Sequence, residues 1–467
     1  MDSRTTLAGF GPDRSAAPRR LEPRRAERVA GARPRPATGE PQPRRCRRPH
    51  PHTDLARRAA EWRHHLGHTD RMKRTLLLYA QDNQGLGHVT RTLTLARHVL
   101  ARHPDCIAYI ATKSPLAGFA LPERCDYIKL PTLLTAGTVR PTAAEEEAAK
   151  QHFRTIRGAI LRDAVLGLVP DLVLVDHEPL GSKGEFRDGL WALKAKHPDS
   201  RFVFGLRDIM DDAARIRAAW EELGVYDALE NLYDGIAVYG SPDLYDVAQA
   251  YAIPASVQPK LHYCGYVVRA RPAVDPAVLR RRLGLPPNAP FVLATVGSGS
   301  DGYPVLAAAR EALERLRATI PELCAILVTG PFMPAAQQAM LQARATATCR
   351  VVAGADTFEL MAAADAVVSM GGYNSVCEAL AVARPLVIVP RATHKVEQQI
   401  RAETLAARGL ARCIHPKDLT GAGLAEAVEW ALRCDRQAHA QLVRRIIPSF
   451  DGATRLTAYL SRWLGGD

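Results

Sequence analysis

The sequence predicts an α/β protein with two doubly wound parallel sheets, and three observations carry the prediction. Short apolar, β-branched runs alternate with helical stretches from about residue 75 onward; several runs end in glycine-rich turns that open a helix; and a proline- and charge-rich stretch near residue 270 divides the alternation in two. At 467 residues with 47% hydrophobic content, the chain can bury two ordinary cores. The expected organisation is an extension at 1–71, a first domain at 72–268 and a second at 269–467.

The basic balance belongs mostly to the extension. Residues 1–71 hold 17 Arg, no Lys and 8 acids, whereas the remainder carries 45 basic against 41 acidic residues. A nucleic-acid footprint would therefore lie in the extension alone, and none is expected of the folded part. Rich in Arg and Pro and poor in aliphatic residues, the extension is expected to be disordered. Met72 opens a stretch that reads like a natural protein start, so 1–71 is read as upstream sequence from a misassigned start, the rival being a basic arm touching RNA, DNA or anionic lipid. Nine scattered cysteines without a CxxC and without a signal peptide point to free thiols in a reducing, cytoplasmic setting. No run is long enough to span a membrane; peripheral attachment at the inner membrane face stays open.

In the first domain, strands are expected at 75–79, 107–112, 127–130, 172–175, 202–206 and 236–239. The first leads into a glycine loop, Gly85-Leu86-Gly87, and then His88 at a helix start, where an imidazole can exchange protons near neutral pH or simply cap the loop. The strand at 172–175 ends in Asp176, His177 and Glu178, at the carboxyl edge where open sheets keep their sites; a solvated charged loop is the alternative. Residues 131–151 read as a loop followed by an acidic helix start. His177 and His394 lack metal-ligand spacing, and no AspXaaAsp motif occurs, so no metal is expected.

The second domain follows a hinge around Gly265 to Arg269, with a basic helix at 278–283 and strands at 291–296, 325–329, 350–352, 366–370 and 386–389. Gly297, Ser298 and Gly299 precede a helix and form a plausible phosphate nest, although Asp301 would repel a diphosphate. Gly371 and Gly372 turn the strand at 366–370 into a helix carrying Asn374, Ser375 and Glu378, placed in its first turn; Ser375 and Glu378 also fit a capping box. Gln398 and Gln399 open a later helix with groups suited to sugar hydroxyls or to water. Helices at 424–432 and 455–464 finish the chain.

The stretch 364–401 resembles the donor-sugar half of GT-B glycosyltransferases, closest to glycosyltransferase family 28, which includes the peptidoglycan N-acetylglucosaminyltransferase. It is closer still to a bacterial glycosyltransferase group with SMGGYN, DxEPLG and GLGH segments, here residues 369–374, 176–181 and 85–88. The resemblance covers about residue 72 to the end and implies two Rossmann-like domains facing a cleft, acceptor in the first and donor in the second, with the last helix crossing back. It implies His88 as the base, Asp176 as its orienting acid with Glu178 as understudy, and a nucleotide sugar held by Gly371, Gly372, Asn374, Ser375, Glu378, Gln398 and Gln399 with Arg269 on the pyrophosphate. The implied activity is inverting, metal-independent transfer without a cofactor, from UDP-N-acetylglucosamine or a related UDP-hexose to an unidentified glycan, lipid-linked or small-molecule hydroxyl. Met370 and Leu386, eight residues either side of Glu378, stand where retaining relatives carry a second Glu, consistent with inversion. A nucleotide-sugar 2-epimerase of the same fold and a non-catalytic nucleotide-sugar-binding module remain the rivals.

Overall fold

The computed structural model describes residues 74–81, 87–114, 120–132, 143–391 and 396–465. The extension, Gly85 and His394 lie outside the described residues. In the first half, the order is β1 (Arg74–Ala80), α1 (Gly87–Arg102), β2 (Cys106–Thr112), β3 (Cys125–Lys129), α2 (Ala143–Leu168), β4 (Leu172–Asp176), α3 (Arg187–Lys196), β5 (Arg201–Arg207), α4 (Ala213–Glu222), α5 (Val225–Asn231), β6 (Gly235–Tyr239), α6 (Val247–Ala250) and β7 (Leu261–Tyr263). The strands form one parallel sheet ordered β3-β2-β1-β4-β5-β6-β7.

The second half runs α7 (Pro276–Arg282), β8 (Phe291–Thr295), α8 (Tyr303–Leu316), β9 (Cys324–Val328), α9 (Ala335–Gln342), β10 (Cys349–Val352), α10 (Thr357–Ala363), β11 (Ala366–Ser369), α11 (Tyr373–Ala381), β12 (Leu386–Ile388), α12 (Glu397–Ala407), β13 (Ala411–Cys413), α13 (Gly421–Arg433), α14 (Arg436–Ile446) and α15 (Gly452–Leu464). Its sheet is also parallel, ordered β10-β9-β8-β11-β12-β13. In both sheets the first and fourth strands of the set are neighbours, β1 beside β4 and β8 beside β11. Winding reverses at those two places, where α/β sheets open a crevice beyond the strand carboxyl ends.

Strand alternation builds three apolar layers. Leu77, Tyr79, Val173 and Val175 face one core, and Val292, Ala294, Ala325 and Leu327 face another. Leu76, Leu78, Leu172 and Leu174 belong instead to a layer shared with Phe291, Leu293 and Ile326 of the second sheet. The last helix, α15, enters that shared layer through Leu456, Leu460 and Leu464 and packs on α1. Its Ser461 hydroxyl lies 2.8 Å from His103 Nε2, and Tyr459 stacks on His262 at 4.1 Å.

Strand boundaries fall within two residues of those expected. Two edge strands, β7 and β13, escape sequence reading because, unlike the equally short β12, neither is a continuous apolar run. The acidic start at Glu145 and Glu146 opens a 26-residue helix, longer than the sequence pattern suggests.

Candidate active site

The register pairs Ala80 of β1 with Asp176 of β4, so the carboxyl ends of these two strands lie side by side at the first crevice. His88, the second residue of α1, places Nδ1 2.9 Å from Asp176 Oδ2. Arg91, one turn on, clamps the same carboxylate, Nε donating to Oδ1 at 3.1 Å and Nη2 to Oδ2 at 2.6 Å. Burial works to raise the Asp176 pKa, but Arg91 and the His88 hydrogen bond outweigh it and hold the group below its ordinary value. An ionised Asp176 accepts only, so the Asp176 bond needs the imidazole proton on Nδ1, the tautomer that leaves Nε2 able to take one, while Arg91 Nη2, 2.8 Å from the same Nδ1, favours the other tautomer. His177 stacks on His88 with ring centroids 4.6 Å apart, and its φ of 71° is unusual for a residue with a side chain. Glu178, half-buried, follows in the same loop. That loop is tied to the sheet by a buried cluster in which Tyr79 Oη and Arg157 Nε donate to the two Glu185 oxygens, each at 2.7 Å, while Ser182 N–H donates to Tyr79 Oη at 3.0 Å.

The depressed Asp176 value sets a sign. Its contribution to stability is complete above the ordinary carboxylate value and is lost as pH falls through the lower folded-state value. Urea unfolding of wild type and Asp176→Asn should show a gap near pH 7 that closes only in the acid range, below about pH 4. A gap independent of pH would mean that the charge on Asp176 is not what stabilises the cluster.

On the second sheet, the glycines separate into two kinds. Gly299 (φ 92°) and Gly371 (φ 79°) are packed, since a Cβ would stand 2.0 Å from Thr329 O and 2.8 Å from Ile388 Cγ2. At Gly297 and Gly372 a Cβ would meet nothing within 4 Å, so these are the places where a ligand can approach the backbone. Ser298 is half-buried, its carbonyl accepting from Phe332 N–H at 2.8 Å. Gly372 caps α11 without a side-chain bond. Because α11 begins at Tyr373, Ser375 lies inside the helix and Glu378 in its second turn rather than the expected first, so the alternative of a capping box does not form.

Glu378 is buried and pairs with Arg269, whose Nε donates to Oε1 at 2.6 Å. The same guanidinium takes both oxygens of Asp356 at 3.3 and 3.1 Å. Burial pushes the Glu378 carboxyl above its ordinary value, with Arg269 opposing. Gln398 is buried, its Oε1 accepting from Arg391 N–H at 3.0 Å; Gln399 donates to Glu403 on its own helix at 2.9 Å.

The two halves meet at this point. Asn374 Nδ2 donates to Gly87 O at 3.0 Å, joining the Gly371–Gly372 turn to the residue before His88. The Tyr373 hydroxyl donates to Tyr239 O at 3.1 Å and accepts from Val267 N–H at 3.0 Å, and its ring lies 5.3 Å from the Arg91 guanidinium and 5.8 Å from that of Arg401. Arg401 donates to Asp208 at 3.1 Å and to Gly371 O at 3.1 Å. Sequence reading misses Arg91, Arg401, Tyr373, Asp208 and Asp356. The only local signal is spacing, since Arg91 and Arg401 each follow a chosen residue by three positions, on the same helix face.

Solved structures with this architecture include the calicheamicin glycosyltransferase CalG4, at TM-score 0.59 and 21% identity over 84% of this chain and 99% of that one. The UGT2 of Phytolacca americana, complexed with UDP-2-fluoroglucose and pterostilbene, aligns at TM-score 0.60 and 13% identity over 84% and 99%. The fold is GT-B.

Residues 292–442 of this GT-B chain match the glycosyltransferase family 28 C-terminal domain, the half bearing Gly297, Gly372, Glu378 and Gln398. An uncharacterized glycosyltransferase of Methanopyrus kandleri is 28% identical over 193 residues, 41% of this chain and 52% of that protein, so the match spans about half of the relative's length. Among the described residues of the GT-B fold, no group of three or more His, Cys, Asp and Glu is placed to hold a metal ion, and no helix is long and apolar enough to cross a membrane.

Proposed function

We propose that this GT-B protein is a glycosyltransferase that moves a sugar from a nucleotide diphosphate sugar to a hydroxyl acceptor with inversion. The observation that carries the reading is the Asn374–Gly87 hydrogen bond, which sets the His88–Asp176 pair beside the Gly371–Gly372 turn of the segment matching family 28. His88 Nε2 takes the acceptor proton as the acceptor oxygen bonds to the anomeric carbon and the bond to the diphosphate breaks. Asp176 stabilises the resulting imidazolium. Backbone N–H groups at the approachable positions Gly297 and Gly372, the latter at a helix start, meet the charge on the departing diphosphate without a metal in that role.

Glu378 is assigned to the ribose hydroxyls and Gln398 and Gln399 to the hexose, while Arg269, expected on the pyrophosphate, has its guanidinium committed to Glu378 and Asp356 and is reassigned to holding Glu378 in place. A UDP-hexose such as UDP-N-acetylglucosamine is the favoured donor, supported by the family 28 match and by neighbours of this fold solved with UDP or a UDP-sugar. The acceptor is left as a glycan, lipid-linked or small-molecule hydroxyl, met in the cytoplasm or at the inner membrane face.

Calorimetric titration with UDP, dTDP and GDP sugars tests the donor site. Glu378→Ala is expected to weaken nucleotide binding by about 1.5–3 kcal/mol, the range for a hydrogen bond to a charged group. Unchanged affinity would remove Glu378 from the site. Conversion of the bound donor to its epimer without acceptor would replace transfer by epimerisation.

A further inference from the structure

A nucleotide diphosphate brings at least two negative charges to the second crevice, and every arginine near it already has a carboxylate. The pairs differ in exposure. Arg91 and Asp176 are 1% and 2% exposed, Arg401 and Asp208 are both 4%, and Arg269 (32%) is fixed to Glu378 (6%) as well as to Asp356. Arg391 and Asp301 are 37% and 38% exposed. Exchanging a partner is costly where water cannot replace it and easy where it can.

Arg391 is also in the right place. It follows β12 and reaches Asp301 in the loop after β8, Nη2 donating to Oδ1 at 2.8 Å while Nε donates to the other oxygen. Its own N–H donates to the side-chain Oε1 of Gln398, and the backbone carbonyl oxygen of Gln398 lies 3.3 Å from where a Gly371 Cβ would stand. Arg391 therefore ties the loop after β8 to the start of α12, through Asp301 and Gln398, beside the Gly371 turn.

We infer that Arg391 is the cation that meets the donor diphosphate, and that Asp301 occupies it until the diphosphate displaces the carboxylate. The inference rests on the nucleotide-sugar reading above and adds an exchange of anions to it. Asp301, an apparent obstacle to phosphate in the bare sequence, becomes the group that keeps the guanidinium oriented and discourages other anions.

The test uses the full-length chain at low ionic strength, titrated with whichever of UDP, dTDP and GDP it binds and with the parent nucleoside. Arg391→Gln is expected to weaken diphosphate binding about tenfold and leave the nucleoside unaffected. Asp301→Asn is expected to tighten diphosphate binding about threefold, a gain that disappears in the double variant. Unchanged diphosphate affinity in Arg391→Gln, or weaker binding in Asp301→Asn, overturns the inference. So does a gain from Asp301→Asn that survives in the double variant, since Asp301 would then act by plain repulsion. If the wild type binds a nucleotide diphosphate and the variants fail these expectations, only this inference falls; if it binds none of the three, the donor reading falls with it.

Discussion

Replacing His88 by alanine is expected to lower sugar transfer by roughly 10² to 10⁴, the usual contribution of a positioned general base. Nucleotide affinity should change little, because His88 lies on α1 of the first half whereas the groups proposed to hold the donor belong to the second. The split has a physical basis. With a neutral imidazole, the cluster of His88, Asp176 and Arg91 carries no net charge; when Nε2 takes the acceptor proton it carries one positive charge, just as the leaving diphosphate gains negative charge. Single-turnover rates with saturating donor are the measurement, and near-wild-type turnover would remove His88 from the mechanism.

The Arg401→Met variant should lose about 3–5 kcal/mol of stability, the cost of leaving a buried carboxylate without its partner. Asp208 and Arg401 are each almost fully buried and come from different halves of the molecule, so removing either partner leaves the other charge buried and unpaired. Arg401 also satisfies the carbonyls of Gly371 and Ile209. Urea unfolding read by two probes tests this, and Asp208→Asn in the same chain should restore part of the loss. A loss below about 1 kcal/mol, the scale of an exposed pair, would contradict the burial argument.

The fold is legible where physics is local. Runs such as 172–175 and 366–370 are buried on both faces, so apolar continuity announces them, and the residues just past their ends are candidates by position alone. His88, Asp176 and Glu378 can be found in that way. Arg91 cannot, because an arginine on an amphipathic helix reads as a solvent contact, and nothing in one dimension says that the face meets a second sheet. Arg401, Asp208 and Asp356 are hidden for the same reason, their partners lying more than 80 residues away. The misplaced turn of Glu378 has a local cause: Ser375 has the chemistry of a cap, but the chain is already helical from Tyr373.

Tyr373 rests between the guanidinium that serves Asp176 and the one that joins the sheets, while its hydroxyl is tied to Tyr239 and Val267. Parting the sheets would pull this ring from Arg91 and break the Asn374–Gly87 bond beside His88. A sugar nucleotide in the opened molecule would thus sit away from an organised base, at the moment when bulk water has freest access to its anomeric carbon. In the proposed reaction, one aromatic side chain at a helix start would link the assembly of the chemistry to the exclusion of water as a competing acceptor, shielding the activated sugar from hydrolysis.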